Sequence, residues 1–391
     1  MRVLHVGKFY PPYAGGMEHF LADLLPAQQA LGIQAAALVH HHGPGWRSEV
    51  PPAGEAGPWV YCAPCLGRML YVPLSPSFPW WLDKVIRDFD PDLLHLHLPN
   101  TSAFAALLLP RARRLPWVVH WHADVVASAI DRRLALAYGL YRPFEQGLLK
   151  RSRAVIVTSP PYLEASQALA PWRKRCAVIP LGLDPLRLPP PDAASRDWAQ
   201  RVWGPTGLRV LTIGRLTYYK GQEVLIRAAA SLPDVRVLIV GQGEHSQRLG
   251  NLITSLGLAD LVSLTGFATE GEVAALLASC DLFCLPSLER TEAFGLVLLE
   301  AMRYGKPVVV SDIPGSGAPW VVQAAGNGRL FPPGDAPSLA RTITLLQADP
   351  QARQRLGQAG AQALQRLFGI SPVARALLDL YEAVASNAAA D

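Results

Sequence analysis

The sequence predicts an α/β fold with two doubly wound parallel-sheet domains that face each other across a cleft. Short apolar runs rich in Val, Leu and Ile alternate with helical patterns along most of the 391 residues. This alternation is expected of parallel strands whose two faces are covered by helices. A proline-rich stretch at residues 188–194, LPPPDAA, interrupts the alternation near mid-chain and is typical of a linker. A chain of this length also suits two to three domains.

The domain boundary is predicted within residues 184–203. We assign residues 1–185 to an N-terminal Rossmann-like domain and residues 186–371 to a C-terminal one. The last helical segment, residues 372–391, is expected to pack back on the N-terminal domain.

Composition limits the class of protein. The apolar fraction is 50 % and the charged fraction 17 %, which predicts large cores and no disorder. No apolar run approaches the ~20 residues of a membrane span, and the N-terminal apolar stretch is too short for a signal peptide. The five cysteines form no disulfide framework, which fits a reducing cytoplasm. The pairs Cys62/Cys65 and Cys280/Cys284 are too far apart in sequence for one zinc site.

The positive charge is concentrated in the first half of the chain. Residues 1–185 hold 18 basic and 13 acidic side chains, whereas residues 186–391 hold 18 of each. The first half is therefore suited to an anionic partner, although a set of solvated helix ends explains the same counts. The candidate cations are Arg111, Arg113, Arg114, Lys150, Arg151, Arg153, Arg173, Lys174 and Arg175.

The N-terminus has the layout of a phosphate-facing βα unit. Residues 2–7 are predicted to be a strand, the pair Gly15-Gly16 lies in the loop that follows, and a helical pattern comes next. The glycine pair favours close approach of the backbone to a ligand, with a simple turn as the alternative. A G-x-G-x-x-G dinucleotide motif is absent here. Residues 33–39 are predicted to be the second strand, followed by His40–His42 in a loop.

Two further strands, residues 93–96 and 115–120, lead to polar candidates. His122 and Asp124 follow the second of them, at the carboxyl end where parallel sheets bind ligands. The alternative is a histidine that caps or packs locally. The acids Asp88, Asp90 and Asp92 have the spacing of a metal-binding D-x-D motif. Pro91 and the strand that follows instead indicate helix-end and turn residues.

The second domain carries two cations after its first strand. Residues 208–213 are predicted to be a strand, and Arg215 and Lys220 follow it five residues apart. A guanidinium fork and an ammonium point charge suit a diphosphate. The alternative, that both merely solubilise the surface, is disfavoured by the Gly-Arg and Lys-Gly context.

Residues 287–311 are predicted to form a loop, a helix and a buried strand. Glu292 lies in the loop, Gly295 begins the helix, and Glu300 lies about one and a half turns inside it. Free amides at the helix start together with two carboxylates suit a diphosphate carrying a sugar on each side. The alternative is one capping and one solvated glutamate.

Taken together, these motifs resemble the family 4 retaining glycosyltransferases, which have the GT-B fold. The resemblance runs nearly end to end and rests on several segments at once. These are Gly15-Gly16-x-Glu18, Asp92-x-x-His95-x-His97, His122, the segment Val178 to Asp184, Gly214-Arg215-Leu216 with Lys220-Gly221, and Glu292-Ala-Phe-Gly-Leu-Val-Leu-Leu-Glu300.

The resemblance implies roles for several of the matched residues. The N-terminal domain would take the acceptor and the C-terminal domain the nucleotide-sugar. Arg215 and Lys220 would bind the donor diphosphate, helped by backbone groups of the two glycine-containing loops. Glu300 would hold the ribose, Glu292 the donor sugar near the reacting centre, and His122 a sugar hydroxyl. The remaining donor contacts implied are Gly15, Gly16, Gly266, Phe267, Phe294, Gly295 and Leu296. The catalytic residues would be His122 and Glu292, with no metal and no cofactor.

A departure from the common family pattern points to a pathway. Trp320 stands where many members have an acid, and a subgroup that builds bacterial O-antigen and exopolysaccharide resembles this sequence there. The resemblance then implies transfer of a hexose, with GDP-mannose favoured and UDP-hexose possible. The acceptor would be a glycan or a polyprenyl-diphosphate-linked molecule. The enzyme would be a peripheral protein on the inner face of the cell membrane. No nucleic acid partner is expected.

Two other classes remain open on the same features. A nucleotide-sugar epimerase or a phosphorylase would use the same architecture, and a phosphorylase would need inorganic phosphate and usually pyridoxal phosphate. A non-catalytic sugar-nucleotide-binding protein would bind the donor without turnover.

Overall fold

The computed structural model describes residues 1–13, 15–50, 59–69, 72–125, 132–204, 207–232 and 234–390. The chain divides into two compact units. The first consists of Met1–Gly182 with Ile370–Asp391, and the second of Leu183–Gly369. Each unit is built on one parallel sheet. The predicted α/β fold with two parallel sheets is confirmed.

The first unit has a seven-stranded parallel sheet in the order β3-β2-β1-β6-β7-β8-β9. A separate antiparallel hairpin, β4-β5, lies between β3 and β6 in the chain. The strands are β1 Arg2–Val6, β2 Gln34–Pro44, β3 Trp59–Cys65, β4 Gly67–Met69, β5 Val72–Leu74, β6 Leu93–Leu98, β7 Trp117–Trp121, β8 Ala154–Val157 and β9 Cys176–Val178. The strand order reverses between β1 and β6, so ligands are expected at the carboxyl ends of these strands.

Helices connect the strands of the first sheet. They are α1 Gly16–Ala30, α2 Phe78–Phe89, α3 Ala105–Leu108, α4 Pro110–Arg114, α5 Arg132–Arg151 and α6 Pro160–Ala165. Asp90 ends α2 in the left-handed conformation, with φ 51°. Asp88 thus lies in the last turn of α2 and Asp92 in the connection to β6, which agrees with the prediction of helix-end and turn residues.

The second unit has a six-stranded parallel sheet in the order β12-β11-β10-β13-β14-β15. Its strands are β10 Leu208–Ile213, β11 Val235–Val240, β12 Val262–Gly266, β13 Leu282–Leu285, β14 Val308–Ser311 and β15 Gly328–Phe331. Its helices are α7 Ala193–Trp203, α8 Gln222–Ala229, α9 Ser246–Ser255, α10 Glu270–Ser279, α11 Leu296–Arg303, α12 Gly317–Ala325, α13 Ala336–Ala348 and α14 Pro350–Ala363. Here the order reverses between β10 and β13, and the side chains of these two strands are almost all buried.

The last helix, α15 Ile370–Ala390, belongs to the first unit. Its Tyr381 is fully buried and accepts a hydrogen bond of 3.1 Å from Gln28 of α1. Among the described residues, no helix is long and apolar enough to cross a membrane.

The prediction of a loop at His40–His42 was wrong. The three histidines lie inside β2, which continues to Pro44 because β3 pairs with it. His40 and His41 are buried, at 1 % and 6 % exposure. The prediction relied on apolar runs and therefore missed this polar part of the strand. Its extended conformation depends on backbone hydrogen bonds from the partner strand, which no apolar run indicates.

Candidate functional site

An ion pair joins two loops at the strand-order reversal of the second unit. Lys220 Nζ lies 2.6 Å from Glu292 Oε2, and the two side chains are 14 % and 8 % exposed. Lys220 follows β10 and Glu292 follows β13, and these strands are hydrogen-bonded neighbours. Burial alone would lower the pKa of the Lys220 ammonium, but the Glu292 carboxylate outweighs burial and the pKa is raised. Lys220 therefore stays charged.

Two serines help to hold Glu292 in place. Ser287 Oγ donates to the Glu292 carboxylate over 2.9 Å, and Ser316 Oγ donates to the Glu292 backbone carbonyl. Lys220 and Ser287 are therefore two side-chain donors to the same oxygen, Oε2, of the buried Glu292 carboxylate. Hydrogen bonds to an ionised group are strong, so the arrangement fixes the direction of the second carboxylate oxygen.

Gly295 makes the turn from this loop into α11. Its φ is +77°, in the left-handed region, and an added Cβ would lie 3.0 Å from Leu285 Cδ2. Leu296 is the first residue of α11, so its amide lies among the unsatisfied donors of the helix start. Phe294 is 2 % exposed and packs against Phe368, with ring centroids 6.2 Å apart. The buried side chain of Phe294 thus anchors the loop that precedes α11.

Glu300 has a partner that the sequence did not reveal. Arg187 Nη2 lies 3.2 Å from Glu300 Oε1, and both side chains are 13 % exposed. Arg187 ends a short 3-10 turn, Pro185–Arg187, that lies 113 positions away in sequence. No local pattern marks such a pair, so sequence reasoning could not find it.

The other residues predicted for this site differ in exposure. Arg215 is exposed and donates to Tyr219 Oη over 3.4 Å, while Gln222 Nε2 donates to the Arg215 carbonyl. Gly266 is the last residue of β12, with φ +73°, and Phe267 after it is 68 % exposed. An aromatic ring so open to solvent is available for stacking. The structure therefore joins Lys220 directly to Glu292, and leaves Arg215 and Phe267 on the surface.

In the first unit, Gly15 and Gly16 lie at the start of α1, in the loop that follows β1. Gly15 is extended, with φ 176°, and an added Cβ would lie 2.2 Å from Glu18 Oε2. Residue 14 lies outside the described residues. A side chain at position 15 would have to displace the carboxylate of Glu18.

His122 lies directly after β7 and is 6 % exposed. Its amide donates to the Leu98 carbonyl over 2.9 Å, and its Nε2 lies 2.9 Å from His97 Nδ1. Burial lowers the pKa of His122 to about 3, so the ring is neutral at physiological pH. A neutral imidazole can exchange a hydrogen bond with a sugar hydroxyl without adding charge.

Asp124, also a candidate, has local partners. Its Oδ1 accepts from Trp121 Nε1 over 2.8 Å and from Ser166 Oγ over 2.7 Å. Its backbone amide donates to Tyr162 Oη over 2.6 Å. These bonds brace the loop after β7, which carries His122.

Sequence reasoning assigned no role to four more buried histidines beside His122. His5, His95 and His120 are fully buried, and His97 is 3 % exposed. The signal that could have found them is their spacing, since His95/His97 and His120/His122 lie two residues apart on neighbouring strands. Residues at that spacing point to one face of a sheet.

Comparison with known proteins shows the family. A glycosyl transferase 4-like domain model matches residues 15–182, and a glycosyl transferases group 1 model matches residues 199–363. The chain is 28 % identical over 384 residues to O-antigen chain mannosyltransferase C of Escherichia coli, covering 97 % of this chain and 98 % of that protein. It is 30 % identical over 311 residues to the putative colanic acid biosynthesis glycosyltransferase WcaL of Escherichia coli strain K12, covering 77 % and 73 %.

Among solved structures, sucrose-phosphate synthase from Thermosynechococcus elongatus superimposes with a TM-score of 0.80 at 24 % identity, covering 99 % of each chain. At this identity the likeness concerns the fold alone. The two matched domain models together with the relatives over most of their length identify the chain as a member of the GT-B glycosyltransferases, with a family 4-like first domain and a group 1 second domain, acting in glycan biosynthesis.

Proposed function

We propose that the chain is a metal-independent, retaining hexosyltransferase. It transfers a hexose from a nucleoside-diphosphate sugar to a lipid-linked or polysaccharide acceptor. The observation that carries the proposal is the buried Lys220–Glu292 contact of 2.6 Å at the strand-order reversal of the second sheet. It holds a cation for the diphosphate and a carboxylate for the sugar next to each other.

The donor diphosphate is bound by the two cations after β10 and by backbone amides. Lys220 supplies a fixed ammonium, and the guanidinium of Arg215 lies at the surface, from where it can swing onto the phosphates. The amides of Gly295 and Leu296 at the start of α11 add donors and a favourable helix dipole. These groups stabilise the charge that develops on the leaving diphosphate, and stabilisation of this kind commonly supplies most of an enzyme's rate acceleration. Gly15 and Gly16 contribute backbone groups from the first unit.

The carboxylates take separate parts. Glu300 binds the ribose hydroxyls of the nucleotide, and Arg187 keeps its carboxylate oriented. Glu292 contacts the donor sugar through the oxygen that Lys220 does not hold. Gly266 and Phe267 lie beside the base of the nucleotide, and the buried Phe294 supports the loop that precedes α11. His122 exchanges a hydrogen bond with a sugar hydroxyl.

The transfer step needs no protein nucleophile. The bond between the sugar C1 and the diphosphate oxygen breaks, and the acceptor oxygen forms its bond to C1 on the same face. The acceptor proton passes to the leaving phosphate, so charge and atoms balance. Glu292 stabilises the oxocarbenium-like sugar electrostatically, because its carboxylate is fixed by Lys220 and Ser287 before the reaction begins.

Turnover without metal tests the activity. Purified chain in the presence of EDTA is expected to hydrolyse or transfer from a nucleoside-diphosphate hexose, and the anomeric configuration of the product measured by NMR is expected to match the donor. Glu292→Ala and Lys220→Ala should each abolish turnover. Arg248→Ala, which removes an exposed ion pair with Glu223 in the same unit, is the matched control.

Other outcomes would assign another class. Interconversion of the sugar without transfer identifies an epimerase, and dependence on inorganic phosphate identifies a phosphorylase. Binding without turnover of any donor identifies a sugar-nucleotide-binding protein. Each of these results would overturn the transferase proposal.

GDP-mannose is the favoured donor, because the O-antigen chain mannosyltransferase matches nearly the whole chain. A thermal-shift panel of UDP, GDP, ADP and their sugars tests this choice. A ligand at a hundred times its Kd stabilises by about 2.7 kcal/mol, so the correct nucleotide should raise the Tm above the others. A larger shift with UDP would replace GDP-mannose by a UDP-hexose.

We also propose that the first unit contacts an anionic membrane surface through a basic cluster, defined by Arg113, Arg114, Lys150, Arg151, Arg153, Arg173, Lys174 and Arg175. The cluster lies at the amino ends of β7, β8 and β9. Arg175 Nη1 donates to the Lys150 carbonyl over 2.9 Å, and Arg151 donates to the Arg113 carbonyl. A cavity of about 420 Å³ lined by Lys150, Arg151, Ser152, Arg153, Arg175 and Val384 has no acidic side chain in its lining. Such a cavity suits a phosphate head group.

Vesicle flotation tests the membrane contact. The chain should float with vesicles that contain phosphatidylglycerol. It should remain in the bottom fraction of the gradient with vesicles of phosphatidylcholine alone. Arg114→Ala/Lys174→Ala removes two exposed cations of the cluster and should weaken flotation. Arg248→Ala/Arg355→Ala removes two exposed cations of the second unit and should not. Equal weakening by both would show that the cluster is not the contact surface.

A further inference from the structure

Five imidazoles of the first unit form two hydrogen-bonded rows on one face of the sheet. The first row crosses three strands: His5 Nδ1 lies 3.0 Å from His97 Nε2, and His97 Nδ1 lies 2.9 Å from His122 Nε2. In the second row, His95 Nε2 lies 3.2 Å from His120 Nδ1. The rows are stacked on each other, with His120 and His122 ring centroids 4.2 Å apart at 5°.

Gln28 of α1 and Tyr381 of α15 join the inner ends of the two rows. Gln28 Oε1 lies 2.8 Å from His5 Nε2, and Gln28 Nε2 donates to Tyr381 Oη over 3.1 Å. Tyr381 Oη lies 2.5 Å from His95 Nδ1. Both residues are fully buried. The two rows therefore form one continuous network through an amide and a phenol.

Each ring in the network carries a single N–H. Burial lowers the pKa of His5 to about 4 and of His122 to about 3, and it lowers the pKa of His95, His97 and His120 well below the ordinary value. All five are neutral at pH 7. A neutral imidazole has one donor nitrogen and one acceptor nitrogen, so each hydrogen bond determines the next.

The amide orientation of Gln28 determines the direction of both rows. Gln28 Oε1 can only accept, so His5 Nε2 carries the proton and His5 Nδ1 accepts from His97 Nε2–H. His97 Nδ1 then accepts from His122 Nε2–H, which leaves His122 Nδ1 bare. Because Gln28 Nε2 donates to Tyr381, the phenol donates to His95 Nδ1, and His95 Nε2–H donates to His120 Nδ1. His120 Nε2 is then left with a proton.

Within the described part of the chain, the two outer atoms of this network have no hydrogen-bond partner. His122 Nδ1 and His120 Nε2 are buried and have no hydrogen-bond partner among the described residues. The same holds for Oγ1 of Thr158, a fully buried residue that follows the neighbouring strand β8. Every inner nitrogen of the rows is paired, so the unused acceptor and donor both belong to the carboxyl end of β7. Buried polar atoms are rarely left unpaired unless a ligand or water completes them.

We propose that Gln28, Tyr381, His5 and His97 are positioning residues that hold His122 as the Nε2–H tautomer, so that its bare Nδ1 accepts a hydrogen bond from a hydroxyl of the bound sugar, while the adjacent His120 Nε2–H offers a donor. The ligand class is a polyol, because a hydroxyl both donates and accepts. This inference rests on the proposed function for its ligand. The tautomer itself rests on the network alone.

A metal site is the competing interpretation of these histidines. Ligand nitrogens of His97, His120 and His122 lie within 4.8 Å of one another. However, the single lone pair of neutral His97, on Nδ1, already accepts the hydrogen bond from His122, and its Nε2–H donates to His5. The rings of His122 and His120 also lie nearly parallel to that of His97, at 17° and 19°. Parallel rings do not direct their lone pairs to one point.

The direct test is the nitrogen NMR spectrum of the ¹⁵N-histidine-labelled full chain at pH 7. Long-range proton–nitrogen correlation distinguishes a bare from a protonated ring nitrogen, and loss of signals in His122→Gln and His120→Gln assigns the two rings. The expected result is a bare Nδ1 on His122 and a protonated Nε2 on His120. A protonated Nδ1 on His122 overturns the proposal, whether or not the chain turns over a sugar nucleotide.

Tyr381→Phe tests the remote control. Without the phenol, Gln28 loses its acceptor and the amide can rotate to donate to His5, which reverses the first row. We expect a proton to appear on His122 Nδ1, with kcat/KM lower by about fivefold, the effect of one hydrogen bond. Tyr304→Phe removes a hydroxyl that donates to the Pro189 carbonyl over 3.0 Å in the second unit, and is the matched control.

The two failures are distinguishable. If no nucleotide-sugar is turned over but the tautomers are as expected, the proposed function fails and the network stands. If Tyr381→Phe leaves the His122 nitrogen shifts unchanged, or if Tyr304→Phe changes them equally, the positioning role is overturned even in an active enzyme.

Discussion

The two units keep buried polar groups in opposite electrostatic states. In the first unit, five stacked imidazoles are neutral and satisfy one another through Gln28 and Tyr381. In the second, the site is built from the ion pairs Lys220–Glu292 and Arg187–Glu300. A neutral network is directional and is destroyed by protonation, whereas an ion pair is destroyed by losing one partner. The difference predicts that pH acts on the first unit and charge-removing substitutions on the second.

Acid should cause the largest loss of stability, through the first unit. Burial lowers the pKa of His5 and His40 to about 4 and of His122 to about 3, and that of His95, His97 and His120 falls as well. Below pH 6.5 the unfolded chain binds protons that the folded chain refuses, so the free energy of unfolding falls as the pH falls. His5, His40 and His122 should each cost about 2 kcal/mol by pH 5. Urea unfolding across pH 7.5 to 5 measures the slope.

Glu145 changes the free energy of unfolding in the opposite direction to the histidines and offsets part of their loss. Burial raises its pKa to about 7, so stability due to Glu145 increases as the pH falls toward 4.5 and cancels about one histidine. His40→Gln removes one titrating group outside the rows and should reduce the slope by one proton. A free energy of unfolding that stays level from pH 7 to 5 would contradict the comparison.

Removal of Lys220 should give the next largest effect. Lys220→Met leaves the Glu292 carboxylate, 8 % exposed, without its cation. We expect a loss of about 3–5 kcal/mol in the free energy of unfolding at pH 7.5. Lys220→Met/Glu292→Gln should recover most of that stability without recovering turnover. Arg248→Ala at the exposed pair with Glu223 should cost about 0.5 kcal/mol or less. If the single and double variants are equally unstable, the pair is not the source of the loss.

Arg187→Gln should have an intermediate effect. It removes the 3.2 Å contact to Glu300 but leaves room for a hydrogen bond, so the expected loss is about 1.5 kcal/mol. The Tm by differential scanning calorimetry measures it. A change no larger than that of Arg248→Ala would show that burial of the Arg187–Glu300 pair adds nothing to stability.

Phe267→Ala should give the smallest structural effect. The ring is 68 % exposed, so the free energy of unfolding should change by about 0.5 kcal/mol or less. If Phe267 stacks on the base, the Kd of the nucleotide should rise by roughly fivefold. Isothermal titration with the nucleotide chosen by the thermal-shift panel separates the two quantities. An unchanged Kd would remove Phe267 from the donor site.

Most of the fold could be read from periodicity. The strand predicted at residues 208–213 has the observed bounds, because buried parallel strands are short uninterrupted apolar runs. Prediction from apolar runs failed where polar residues lie in a strand, as at His40–His42 of β2. It also failed for β3, which contains a proline. In those places the hydrogen bonds of the partner strand decide the conformation.

The sequence by itself determined the family, the two parallel sheets and the types of residue at the strand ends, because these depend on local patterns. The tertiary structure alone decided which of those residues meet. Lys220 and Glu292 lie 72 positions apart, Arg187 and Glu300 113, and His95 and Tyr381 286. Such pairs arise from strand order and helix packing, and a hydrogen bond or ion pair between distant positions leaves no periodic trace in the chain.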